Sequence, residues 1–161
     1  MYKSLLHHVS LLALLLVSAL SFALPDDRLQ PVNIEADSLE LSQKTNQTVY
    51  RGNVVLTQGS LRIEADEIII SVEDGTLNTV SASGQQASLY QLVAQERPPV
   101  LAKANTIFFN VEEDSLLLKG DANVEHGESR FAGNRIEYRI SEEIVSAKER
   151  VRMTIPTVNS L

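Results

Sequence analysis

Short runs of alternating apolar and polar residues fill the chain beyond Leu24. "QTVYR", "NVVLTQ", "SLRIEA", "DEIIISV", "NTIFFNV", "SLLLKG", "DANVEH" and "NRIEYRI" are rich in β-branched or large apolar residues. They carry the two-residue period of half-buried strands. Between them lie Gly52-Asn53, Gly59-Ser60, Asp74-Gly75 and Gly120-Asp121, pairs suited to turns or corners. No stretch after Leu24 sustains a helical period. The pattern predicts an all-β fold with roughly twelve to sixteen strands, spaced as in sandwiches and barrels.

The pattern is also written twice. A single offset carries Gly52 onto Gly120, Gly59 onto Gly127, Arg62 onto Arg130 and Ile63 onto Phe131. The same offset carries Asp66 onto Asn134, Ile68 onto Ile136, Leu39 onto Ile107 and Leu41 onto Phe109. Within each half a shorter echo recurs: "IEADSLEL" at 34–41 returns as "IEADEIII" at 63–70, and "AKANTIFF" at 102–109 returns as "FAGNRIEY" at 131–138. Self-similarity at a period of about 20–50 residues indicates stacked supersecondary units joined by an internal duplication.

Each echo hides a change of parity. Apolar anchors stand at Ile34 then Leu39 and Leu41, at Ile63 then Ile68 and Ile70, and at Phe131 then Ile136 and Tyr138. A straight strand would throw the first anchor of each set to the opposite face from the rest. A bulge between them restores one common face. The residues at that point are Ala36-Asp37, Ala65-Asp66, Ala104-Asn105 and Gly133-Asn134. A small residue followed by Asp or Asn suits a corner, where the short polar side chain caps nearby backbone. Each unit is expected to be a strand that turns a corner, with all corners in line.

Charge and composition narrow the function. Residues 1–23 read as a signal peptide, with Lys3 ahead of an apolar run and Ser21-Phe22-Ala23 at the cleavage point. A short membrane anchor is the alternative, but the run is short for a span. Residues 24–161 then form one domain. The chain holds 21 acidic against 14 basic residues, a net charge of −7, which argues against nucleic acid as a partner. The absence of cysteine excludes disulfides, thiolate metal sites and a lipoprotein anchor. An exported, acidic, disulfide-free chain fits the periplasm of a Gram-negative bacterium.

Aligned acidic positions invite an enzymatic reading. The repeat weighs against it, because Asp37 and Asp66 become Asn105 and Asn134: ionisation is lost where turn chemistry is kept. His126, the one histidine beyond residue 8, falls beside Gly127 in an expected turn and reads as solvated surface. It leaves no metal set and no nucleophile–histidine pair. The repeated cations Arg51/Lys119 and Arg62/Arg130 read as a solvent face, with headgroup contact as the alternative. We expect no enzyme, no metal and no cofactor.

"QPVNIEADSLEL", then "YRGNVVLTQGSLRIEADEI" and "GQQASLYQ", closely resemble the OstA-like family of periplasmic lipopolysaccharide transport proteins. The resemblance covers nearly all of residues 24–161. Its motifs are shared by the LptA branch and by the N-terminal domain of the outer-membrane protein LptD. An end at Leu161 with no barrel after it favours the LptA branch.

The resemblance implies a twisted β-jelly roll, a V-shaped stack of antiparallel strands with an apolar trough, serving as part of a bridge from inner to outer membrane. Lipopolysaccharide, held by its lipid A acyl chains, is the implied cargo. The implied partners are LptC-like inner-membrane and LptD-like outer-membrane proteins joined by edge-strand pairing, and further copies of the chain in a head-to-tail oligomer. The residues expected to face lipid are Val32, Ile34, Leu39, Leu41, Ile63, Ile68, Leu89, Ile107, Phe109, Val111, Phe131 and Ile136; the alternative for each is plain core packing. The candidate free edges are Gln30–Glu35 and Arg150–Ile155. Two other functions remain open on the residues alone. One is a structural assembly module without lipid; the other is a polysaccharide-binding β-protein, poorly served by 5% aromatics and no tryptophan.

Overall fold

The computed structural model describes residues 27–42, 44–93 and 97–155. The expected signal peptide and Pro156 lie outside them. After a 3-10 turn at Asp27–Leu29 come ten strands: β1 (Val32–Glu35), β2 (Ser38–Ser42), β3 (Gln47–Gln58), β4 (Leu61–Glu73), β5 (Thr76–Gln91), β6 (Val100–Asn110), β7 (Ser115–His126), β8 (Ser129–Arg139), β9 (Ile144–Lys148) and β10 (Arg152–Thr154). They form one antiparallel sheet in the order β1-β3-β4-β5-β6-β7-β8-β10, with β2 also on β3 and β9 also on β8. The sheet does not close.

Ten strands replace the expected twelve to sixteen because the corners do not break the chain into new strands. "QTVYR" and "NVVLTQ" are two halves of β3, just as "SLLLKG" and "DANVEH" are two halves of β7. Gly52-Asn53 and Gly120-Asp121 are bends inside these strands, each with left-handed backbone at both residues. Asp74-Gly75 is a true hairpin turn. Both residues have positive φ between the paired Glu73 and Thr76, the two-residue geometry that follows strand twist.

At every corner the register slips: between Arg51 and Val54, Glu64 and Glu67, Ser83 and Ala87, Lys103 and Thr106, and Lys119 and Ala122. An Asp or Asn on one strand meets an extra residue or two on the next, which is a bulge and bends both. The Asp66 carboxylate accepts from the Gln85 backbone N–H at 3.0 Å, and Asp37 accepts from the Asn53 side chain at 3.0 Å. Asn134 donates from its backbone to the Glu149 carbonyl at 2.8 Å. The predicted corners are therefore present and stacked, and their acidic side chains accept hydrogen bonds from the next strand, Asp66 from backbone and Asp37 from a side-chain amide.

Folding along this line brings the two halves of one sheet face to face. Val54, Leu56, Ile63 and Leu89 on one half and Ile68, Ile107, Leu118 and Ile136 on the other are at most 2% exposed within one core cluster. A single sheet face reaches such burial only if something covers it, and here each half covers the other.

Candidate lipid site and mouth of the folded sheet

Cross-strand registers resolve the interior into rows that run along the stack. On the half carrying β2 and β9, one row runs Leu39–Tyr50–Ile68–Ala82–Ile107–Leu118–Ile136–Ala147. The next row out from the corner runs Leu41–Thr48–Ile70–Val80–Phe109–Leu116–Tyr138–Val145. On the half carrying β1 and β10, Ile34–Leu56–Ile63–Leu89–Ala102–Val124–Phe131–Met153 form the facing row. Ten of the twelve expected site residues stand in these three rows; Val32, opposite Gln58, and Val111, just past β6, lie nearer the mouth.

Their surroundings differ with position along the stack. Ile63, Ile68, Leu89, Ile107, Phe109, Val111 and Ile136 are buried, while Ile34 and Phe131 pack half-buried against them. Val32, Leu39 and Leu41 were expected inside the trough but are 36%, 60% and 63% exposed. They stand on the edge strands, where the row continues but no further strand covers it. Met153 at the opposite edge is 53% exposed. The apolar interior is filled by its own side chains at mid-stack and uncovered at both ends. Water drives these faces together when nothing else occupies them.

The row nearest the mouth mixes polar with apolar side chains, and sequence reasoning passed over its polar members. Gln91, Val100, His126 and Ser129 stand opposite one another across β5 to β8. His126, read as solvated surface, faces inward: its Nδ1 shares a 3.1 Å hydrogen bond with the Tyr138 hydroxyl, and its Nε2 is shielded from solvent without a partner. The signal was parity, since Ala122, Val124 and His126 alternate onto one face. Burial pushes the Tyr138 phenol up to about 12, helped by the carboxylates of Glu143 and Asp114 and opposed by Arg97.

The chain ahead of β1 lies along this mouth. The Asp27 carboxylate accepts from the Ser60 backbone N–H at 2.9 Å and from its hydroxyl at 2.5 Å. The Gln58 amide donates to the carbonyls of Arg28 and Gln30. Beside this segment opens a pocket of about 440 Å³ lined by Asp27, Arg28, Gln30, Gly59, Ser60, Gln91, Leu92, Val93, Asp114 and Ile140. The outer face is charged and paired. Arg51 reaches Glu40 and Glu67, Arg62 reaches Glu64, and Arg130 reaches Glu125, as a solvent face requires. Among the described residues no group of His, Asp and Glu could hold a metal ion, and no helix is long and apolar enough to cross a membrane.

The profile of the family described as "LptA/(LptD N-terminal domain) LPS transport protein" matches residues 33–144. The chain belongs to this family. Among its relatives, lipopolysaccharide export system protein LptH of Pseudomonas aeruginosa is 34% identical over 81% of this chain and 75% of that protein. Lipopolysaccharide export system protein LptA of Escherichia coli K12 is 29% identical over 84% of this chain and 74% of its own length. The crystal structure of LptH from Pseudomonas aeruginosa, described as the LptA-homologous periplasmic component of the conserved lipopolysaccharide transport device, superposes with a TM-score of 0.76 at 30% identity. It covers 83% of this chain and all of that one. A 55-residue stretch is also 44% identical to LPS-assembly protein LptD of Vibrio cholerae, over 34% of this chain. The relatives of this LptA/LptD-type domain are thus named as export and assembly proteins.

Proposed function

We propose that this protein carries lipopolysaccharide through the periplasm, holding acyl chains between the two halves of its folded sheet as one segment of a bridge between membranes. One observation carries the reading: rows that are mainly apolar, with Thr48 interrupting one of them, run from one edge strand to the other and are uncovered at both ends. A closed core has no reason to leave Leu39, Leu41 and Met153 in water; a conduit continued by the next segment does. Each acyl methylene taken from water is worth about 0.8 kcal/mol, so a multi-chain lipid needs such a covered path. The interior residues named above would meet the chains, replacing contacts they now make with one another.

Assembly follows from the same ends. β1 and β2 form one edge and β9 and β10 the other; the expected edges at Gln30–Glu35 and Arg150–Ile155 cover β1 and β10, and β2 and β9 were not foreseen as edge strands. Unpaired edges are templates for strand addition. With strands about 4.8 Å apart, one protomer spans on the order of 40 Å. Head-to-tail addition of further copies, or of LptC-like and LptD-like domains at the ends, extends both the sheet and the apolar rows.

A photo-reactive side chain at Ile34 or Phe109 should crosslink to lipopolysaccharide, while one at Glu40, exposed and paired with Arg51, should not. Equal labelling at all three positions, or none at the first two, refutes the cargo assignment. Oligomers that form without any crosslinked lipid would leave the structural-module reading standing instead.

A further inference from the structure

The two halves of the sheet are joined in different ways along their two margins. At the corner the joint is covalent, since β3 to β8 run through it. At the mouth the joint consists of side chains that meet from opposite halves. Tyr138 lies beyond the Asn134 corner of β8 and His126 beyond the Asp121 corner of β7, so their 3.1 Å hydrogen bond spans the gap. Arg97, in the connection from β5 to β6, forms an ion pair with Glu143, in the turn from β8 to β9. Asp27 is fixed to Ser60 on one half, and the adjacent Arg28 acts electrostatically on Asp114 at the end of the other.

Among the described residues these ties are few, and they are weak beside the ladders. The Arg97–Glu143 pair is about half exposed on both sides, a setting in which ion pairs contribute little. Two polar atoms at the mouth, Gln91 Oε1 and His126 Nε2, are shielded from solvent yet unpartnered, a state that costs free energy until a donor or acceptor arrives. Gln91 also lines the 440 Å³ pocket beside Arg28, so space for a polar group exists where the ties stand.

We propose that the mouth is a lateral seam, and that an anionic amphiphile enters sideways by replacing these ties. This rests on the lipid-cargo reading and adds the route of entry and the residues that meet the head end. The acyl chains separate the inner rows while the strands bend at their corners. Arg28 and Arg97 exchange Asp114 and Glu143 for the phosphates of the headgroup. Gln91 and His126 take hydrogen bonds from the amide and hydroxyl groups where the chains begin. A seam lets cargo leave or enter anywhere along the stack, whereas a closed tube would admit it only at the ends.

The chain has no cysteine, which permits a clean lock. Arg97→Cys with Glu143→Cys, bridged by a reducible bifunctional thiosulfonate, ties the mouth shut at an exposed position that circular dichroism can show is folded. Uptake of fluorescent lipopolysaccharide should slow at least tenfold in the locked protein and recover on reduction. Tyr138→Phe, which removes one tie and keeps the ring, should speed uptake two- to fivefold. Arg28→Gln removes a tie as well as a phosphate partner, so it should slow uptake of phosphorylated lipid A relative to the dephosphorylated form; an equal effect on both overturns the arginine assignment. Locked protein that takes up lipid as fast as unlocked overturns the seam alone. Wild-type protein that takes up no lipid overturns the cargo reading beneath it.

Discussion

Asp37 and Gly52 interlock at the first corner of the stack. The Asp37 backbone N–H donates to the Gly52 carbonyl at 3.0 Å, and the Asp37 side chain lies over the glycine. A Cβ added to Gly52, where φ is +82°, would come within 2.8 Å of the Asp37 Cβ and Cγ. Asn105 stands over Gly120 in the same way, with φ of +75°. The duplication therefore repeats a fitted pair, an Asp or Asn on one strand and a glycine on its neighbour.

Gly52→Ala should cost about 2–4 kcal/mol, the left-handed backbone contributing roughly 1–2 and the collision the remainder. Gly75→Ala has a similar φ of +77° but open space around it, so it should lose only the backbone part. Urea unfolding gives both values. Adding Asp37→Gly to Gly52→Ala should recover part of the loss, a coupling a double-mutant cycle reads directly. Additive effects would mean the two residues do not interlock.

The corners were legible in the sequence because a bulge leaves a signature in parity: Ile63 and Ile68 can share a face only if the strand between them slips. The inner face was legible for the same reason. The number of strands was not, since a bend with glycine and a turn with glycine look alike until pairing shows Arg51 and Val54 on one neighbour. Which inner residues are covered was also hidden, because Leu39, Tyr50 and Ile68 carry the same local pattern and differ only in their place across the sheet. The mouth was missed because Asp27, Arg97, His126 and Tyr138 meet only after the sheet folds on itself.

Position across the sheet predicts unequal costs along one row. Ile68→Ala, at a site 0% exposed, should destabilise the monomer by about 2–5 kcal/mol. Leu39→Ala lies two strands away in the same row but is 60% exposed, so its cost in the monomer should stay below about 1 kcal/mol. Its effect should appear instead in self-association, measured by analytical ultracentrifugation. A Leu39→Ala protein that unfolds as readily as Ile68→Ala would contradict the uncovered edge.

The mouth gives an alkaline signature. The Tyr138 phenol titrates near 12 in the fold, above its ordinary value of 10, so the folded state favours its neutral form. That contribution is fully present below pH 10 and is lost as pH rises through about 12. Tyr138→Phe keeps the buried ring but strands His126 Nδ1, at a cost of about 0.5–1.5 kcal/mol below pH 10. The stability gap between wild type and Tyr138→Phe should therefore narrow between pH 10 and 12, as followed by urea unfolding. A constant gap would show that the fold leaves the phenol's pKa where it is in the unfolded chain.

The two free edges differ in charge, and this bears on how copies join. The β1–β2 edge presents Glu35 and Glu40, whereas the β9–β10 edge presents Lys148, Arg150 and Arg152 around Glu149, all exposed. Copies with a net charge of −7 repel overall, so local complementarity must set both the attraction and its direction. Removing residues 150–161 should leave a folded β-protein that binds lipid yet stays monomeric at high concentration. Arg150→Glu with Arg152→Glu is the gentler test and should weaken association on the order of tenfold, about 1.4 kcal/mol. Mixing that variant with a Glu35→Arg protein should restore pairing between its altered C-terminal edge and the altered N-terminal edge of the other. Restoration should fade as salt rises, because rim charges are screened within about 8 Å at physiological ionic strength. If the truncated chain assembles like the full one, or the mixed variants stay apart at low salt, the edges are not the joint.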